Sequence, residues 1–214
     1  MKNHLTYGGR QAVLCVLATA LALAAQEWPL GIDPDKFPAR DSHEGVILAA
    51  RPIPDTPEAE KIFGETAAPT RAGFLPVELV IVNEREDHIR VNLQRIQVVT
   101  DEEKFEQVEP EEIAWGLYPP PTRQPTDSSR LPRRLPRDKN RYKREEAQAA
   151  LRSHQLRAAV VPPGTSARGY LYFDLRGGSI HLKEAWVYVP EVKVVPTDQP
   201  LFFFEISLEL YAEE

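Results

Sequence analysis

The chain has 214 residues, 42% of them hydrophobic and 27% charged, with a formal net charge of −6, 20 prolines and one cysteine. That length holds one good-sized domain, and the acidic balance argues against general nucleic-acid binding, which needs a net basic surface to neutralise phosphates. One cysteine excludes an intramolecular disulfide, so an ordinary core must hold the fold.

Lys2 and Arg10 precede an apolar stretch at residues 11–25, QAVLCVLATALALAA, which ends in the Ala-x-Ala triplets Ala20-Leu21-Ala22 and Ala22-Leu23-Ala24 before Gln26 and Glu27. This is the layout of a secretory signal peptide. At 15 residues it falls short of the ~20 that cross a bilayer as a helix, so cleavage near Ala25 is expected, followed by residence in the periplasm or outside the cell. No later stretch of comparable length is free of charges, so no span remains after cleavage. Cys15 lies mid-run, a poor setting for lipidation, and leaves with the signal. Losing Lys2 and Arg10 takes the charge from −6 to about −8.

Residues 26–43 carry Pro29, Pro34 and Pro38 and read as an extended or disordered arm. The domain is expected over residues 44–211, with a Pro/Arg-rich insert at 118–144. Val46-Ile47-Leu48-Ala49-Ala50 signals a strand stopped by Pro52 and Pro54. Residues 56–64 signal a short helix with Thr56 as N-cap, Pro57 as first helical residue and Gly64 as stop. Residues 74–83, FLPVELVIVN, are apolar on both faces and predict a central, buried strand. The next strand starts at Ile89, but Ile96 and Val98 are out of phase with Ile89, Val91 and Leu93. A bulge, or a strand passing between sheets, would resolve the slip.

Acids dominate from Asp101 to Glu112 and bases from Arg130 to Arg144. Residues 141–155 predict a modest surface helix with apolar Ala147, Ala150 and Leu151. Strands are predicted at 156–161, 169–175, 185–189, 192–195 and 201–210, the last with Phe202, Phe204, Ile206, Leu208 and Leu210 facing inward. Seven or eight strands with one or two short helices describe an all-β, antiparallel sandwich.

Two stretches carry a resemblance. One runs from Glu44-Gly45-Val46 through Ile62-Phe63-Gly64 and Gly73-Phe74-Leu75-Pro76-Val77 to Val80-Ile81-Val82-Asn83; the other pairs Val161-Pro162-Pro163-Gly164-Thr165 with Gly169-Tyr170-Leu171-Tyr172-Phe173-Asp174. Together they resemble a group of uncharacterised secreted proteins, frequent in acidobacteria, and more loosely the immunoglobulin-like sandwich domains of bacterial envelope proteins. The resemblance covers most of residues 44–209. It implies an immunoglobulin-like fold and carries over no catalytic residue.

Chemistry-bearing patterns are sparse. His43, His88, His154 and His181 are scattered, and only His43, beside Glu44 and near Asp41, suggests a fragment of a metal site. Ser166 and Ser179 lack the G-x-S-x-G setting of a serine nucleophile. Glu102-Glu103 and Glu111-Glu112, taken as strand neighbours, point to opposite faces and form no glycosidase couple. Gly177-Gly178 reads as a turn. Trp115, Tyr118, Trp186 and Tyr188 read as core and strand-edge residues more than as a ligand platform.

The expectation is therefore a non-enzymatic exported sandwich with no cofactor and no metal site, acting as an envelope interaction or structural module. Its partner would be a protein or an anionic envelope component. The contact region is placed at residues 115–144, with Trp115, Tyr118, Arg130, Arg133, Arg134 and Arg137 as the contact residues. The alternatives are a periplasmic small-ligand or metal binder, and third an enzyme with a site not visible in sequence.

Overall fold

The structure, a computed structural model, describes residues 36–121, 138–175 and 182–212. Among these the chain is mostly β, with three antiparallel sheets and three helices. The first sheet joins β1 (Arg40–His43), β2 (Val46–Pro52), β3 (Phe74–Asn83) and β8 (Thr165–Asp174) in the order β1-β2-β3-β8. β3 and β8 pair over all ten residues, from Phe74↔Asp174 to Asn83↔Thr165.

The other two sheets continue one into the other. β4 (His88–Val91) pairs with β7 (Val160–Val161) and β10 (Val192–Val195) in the order β10-β4-β7. β5 (Gln97–Thr100), β6 (Lys104–Phe105), β9 (Ala185–Val189) and β11 (Phe204–Ser207) form the order β11-β9-β5-β6. β4 runs into β5 through a 3-10 turn at Leu93–Arg95, and β9 runs into β10 through Pro190 and Glu191. At the joint the Asn92 amide donates to the Glu191 carbonyl at 3.1 Å. The phase slip between Leu93 and Ile96 is this turn: one turn of helix resets the face, so Ile89, Val91, Ile96 and Val98 all reach the same core.

That core fills the space between the first sheet and the bent pair. Leu48, Leu75, Leu79, Ile81, Leu171 and Phe173 meet Ile89, Val98, Val187, Val192, Phe204 and Ile206 in one cluster. The arrangement is sandwich-like, and its drive is burial of apolar surface from both inner faces. The first sheet is also covered outside, which explains the lack of alternation in β3. Phe74 and Tyr172 point outward under α1 (Thr56–Phe63), α2 (Pro110–Leu117) and α3 (Arg141–His154), packing with Ile53, Phe63, Ile113 and Leu151. Phe37 covers Ala49 and Val80 further along the same face.

Several expectations change in detail. Asp55, not Thr56, caps α1: its carboxylate accepts the Glu58 amide at 3.1 Å, while Gly64 at φ +87° ends the helix. An aspartate one residue earlier serves because its oxygen reaches forward to an unpaired amide of the first turn. The acidic stretch is a turn, the two-residue β6 and then α2, a helix not anticipated. Glu111 and Glu112 sit in the first turn of α2, where negative charge complements the helix dipole. The last strand is short: Phe204, Ile206 and Leu208 are buried, whereas Phe202 and Leu210 are 63% and 59% exposed. The 3-10 turn at Glu209–Tyr211 ends the alternation at one side, and Phe202 precedes the paired residues at the other.

The strand edges carry their own hydrogen bonds. Along β8 the Tyr172 carbonyl accepts the Val108 amide at 2.9 Å and the Tyr170 carbonyl accepts the Leu156 amide at 3.0 Å. The Leu156 crossing requires Gly169, since a Cβ there would lie 2.6 Å from the Leu156 N and Cα. On β10 the chain folds back, with the Leu201 amide donating to the Val192 carbonyl at 2.8 Å and the Val194 amide to the Gln199 carbonyl at 2.9 Å. β1 lies beside β11, and the Asp41 carboxylate accepts the Glu205 amide at 3.1 Å.

Candidate functional site

The sequence placed partner contact at residues 115–144. Of the six residues singled out, Arg130, Arg133, Arg134 and Arg137 lie outside the described residues. Trp115 and Tyr118 are described, and the fold brings them together with the start of α3. α2 begins with Pro110, which presets the first helical residue, and buries Ile113 and Ala114 against α3. Trp115 therefore falls on the outer side, 47% exposed, so it is a surface residue and not a core one.

The Arg144 guanidinium lies over the Trp115 ring, 5.1 Å from its centroid. Arg144 also donates to the Tyr118 carbonyl at 2.9 Å and pairs with Asp138. That bond holds the Asp138 carboxyl below the usual carboxylate range. Lys143 reaches over the Tyr118 ring at 5.7 Å, and the Tyr118 hydroxyl donates to the Thr66 carbonyl at 2.9 Å. The Asn140 amide contacts the Pro119 carbonyl at 3.4 Å. Residues 118–119 and 138–144, which flank residues 122–137 in the sequence, thus meet. Residues 122–137 contain five arginines and one aspartate.

A second polar cluster was not legible in advance. On the outer face of the first sheet, Glu78 is 1% exposed and pairs with Arg168 of β8, while Arg51 of β2 stands 3.9 Å away and pairs with Glu58 of α1. Cross-strand register puts Arg51, Glu78 and Tyr170 in one row. Burial, and then the Glu78 charge, pushes the Tyr170 hydroxyl up to about 12, so it stays protonated. Arg168 also lines a surface concavity of about 460 Å³ with Arg152, Ser153 and Arg157 at the end of α3. Two of those three arginines are committed within the fold, Arg168 to Glu78 and Arg157 to the Arg152 carbonyl at 2.7 Å.

The histidines do not converge. His43 meets Asp41 at 3.0 Å and packs on Phe204 with ring centroids 5.3 Å apart. His88 is exposed on β4. His154 sits between Phe63 and Tyr170, and burial pushes its pKa below the usual imidazole value. His181 lies outside the described residues. Among the described residues no three of His, Cys, Asp and Glu are grouped to hold a metal ion, and no helix is long and apolar enough to cross a membrane.

Trp186 and Tyr188 also depart from expectation. They lie on a central strand, β9, whose Ala185, Val187 and Val189 fill the core, so both rings stand half-buried on the outer face. The period-2 alternation of AWVYV carried that signal. No protein-family model matches the chain, and no curated protein or solved structure is found to be similar to it.

Proposed function

We propose that this chain is an exported, non-enzymatic protein of the immunoglobulin-like sandwich class that serves as an interaction or structural module of the bacterial envelope. The apolar stretch at residues 11–25 supports export. The facing orders β1-β2-β3-β8 and β11-β9-β5-β6 support the immunoglobulin-like reading. The observation that carries the interaction role is the edge formed by α2 and α3. There an exposed tryptophan ring lies under Arg144, and the residues flanking an arginine-rich sequence are joined to each other. Rigid elements that flank a charged segment are a common way to build a binding surface, and an Arg-rich composition selects anionic partners.

The test is retention on native envelope material. Wild-type protein should bind in low salt and release as salt rises, because exposed charges are screened within about 8 Å at physiological ionic strength. The pair Arg133→Gln and Arg134→Gln, and separately Trp115→Ala, should each lower retention about tenfold, or ~1.4 kcal/mol. Unchanged retention and unchanged salt dependence in both variants would overturn the role assigned to this edge.

A further inference from the structure

The outer face of β11-β9-β5-β6 carries a cleft lined by aromatic side chains. The pairing register sets its rows. Lys104, Val99, Trp186 and Ser207 stand side by side across the sheet, and Gln97, Tyr188 and Glu205 form the adjacent row. Phe203, 49% exposed, packs against Tyr188 with ring centroids 5.9 Å apart. Between them lies a cleft of about 340 Å³ lined by Val99, Lys104, Trp186, Tyr188 and Glu205. That volume is at the small end of ligand sites, which run from about 300 to 1,000 Å³.

The make-up of the cleft narrows its occupant. Trp186 and Tyr188 are two residues apart on one strand, so their Cα atoms sit about 6.8 Å apart along it and their side chains stand on one face. Each is half-buried, held by the sheet, and offers a face. Lys104 lies on one edge strand and Glu205 on the other, neither with an ion-pair partner among the described residues. One donor and one acceptor of opposite charge leave the cleft electrically balanced. A polyanion would meet a single cation and a repelling carboxylate, and an acyl chain would leave both charged groups without a partner on the ligand. A ligand with apolar C–H faces and a periphery of neutral hydroxyls satisfies every group: ring faces take the C–H surface, and Lys104, Glu205 and Gln97 exchange hydrogen bonds with hydroxyls.

We infer that this face binds a neutral glycan strand, with sugar rings lying on Trp186 and Tyr188 and their hydroxyls held between Lys104 and Glu205. The site is distinct from the α2–α3 edge and uses none of its residues. Cellohexaose and chitohexaose are the probes, titrated calorimetrically into the exported protein. Saturable binding of at least one is expected, weakened about tenfold or more in Trp186→Ala and in Tyr188→Ser, and unchanged in Tyr142→Ala, which alters an exposed ring on α3. Binding should persist in molar salt, since the ligand carries no charge. Unfolding midpoints measured alongside show that both variants are folded. Four results would overturn the inference: no saturable binding of either hexasaccharide, equal affinity in both variants, binding abolished by salt, or self-association of the protein that Trp186→Ala removes.

Discussion

Glu78 is a carboxylate buried on a central strand, and both of its guanidinium partners reach it from the solvent side. Arg168 and Arg51 have side chains 49% and 41% exposed, whereas Glu78 has 1%. The two halves of this pair are therefore unequal. In Arg168→Ala the carboxylate keeps only Arg51 at 3.9 Å and stays buried, at an expected cost of about 3 kcal/mol, the low end for an orphaned buried charge. In Glu78→Leu Arg168 turns to water and Arg51 keeps Glu58, and the cost should be about 1 kcal/mol or less. Urea denaturation of the two variants checks the order, and a Glu78→Leu loss exceeding that of Arg168→Ala would refute it. Asn83 shows the neutral form of the same economy: its amide nitrogen donates to the Asp87 and Val161 carbonyls, and its oxygen accepts the Arg85 amide. The sequence shows both as polar residues in an apolar strand, but not their distant partners: Val161 lies 78 positions from Asn83, and Arg168 lies 90 from Glu78.

Elements with a strong local pattern were legible. β3, β9, β10 and α3 stand where the apolar spacing and helix formers put them, because burial on one face or both writes itself into neighbouring residues. α2 escaped because its acids drew more notice than Pro110-Glu111-Glu112, a sound helix start. The joint between β4 and β5 was legible only as a loss of phase. Glu191 secures that joint. Lys193, then Asn92 and Arg95 hold its carboxyl down at about 2, against an ordinary 4.5. A depressed carboxyl pKa contributes stability that is fully present above the unfolded value and is lost as pH falls through the folded one. Glu191→Gln should therefore be less stable than wild type at pH 7, with the gap closing between about pH 4.5 and pH 2. Urea midpoints at a series of pH values follow this, and a gap constant over that window would rule out the linkage.

At the scale of the molecule, the sandwich-like layering followed from strand spacing, while the helical cover on the outer face of the first sheet did not. That cover depends on Phe63, Ile113 and Leu151, contributed by three separate helices, meeting over Phe74 and Tyr172. The candidate contact edge was legible as a composition and two aromatic residues; its tethering by Arg144 and Asn140 needed the fold. The alternation in residues 185–189 carried the signal for the aromatic face, but Trp186 and Tyr188 were expected in the core or at a strand edge, and their neighbours across the sheet, Lys104 and Glu205, needed the fold. Hydrogen exchange gives a global check on the closed edges. The amides of Val108, Leu156, Val194 and Leu201 should exchange more slowly than unbonded loop amides and faster than those inside β3, because each is bonded at the margin of a sheet. Rapid exchange at all four would mean that the margins are open.

Those margin bonds decide how this protein can meet anything else. A sheet with a bare edge is a template, and any extended peptide, including a neighbour's strand, can lengthen it. Here β8 is occupied by Val108 and Leu156, β10 by its own returning chain, and β1 meets β11 through Asp41. Backbone pairing is thus obstructed at these positions, and with it the fibrous growth that such pairing permits. Contact there is left to side chains, which can be chosen one at a time without reopening the sheet beneath them.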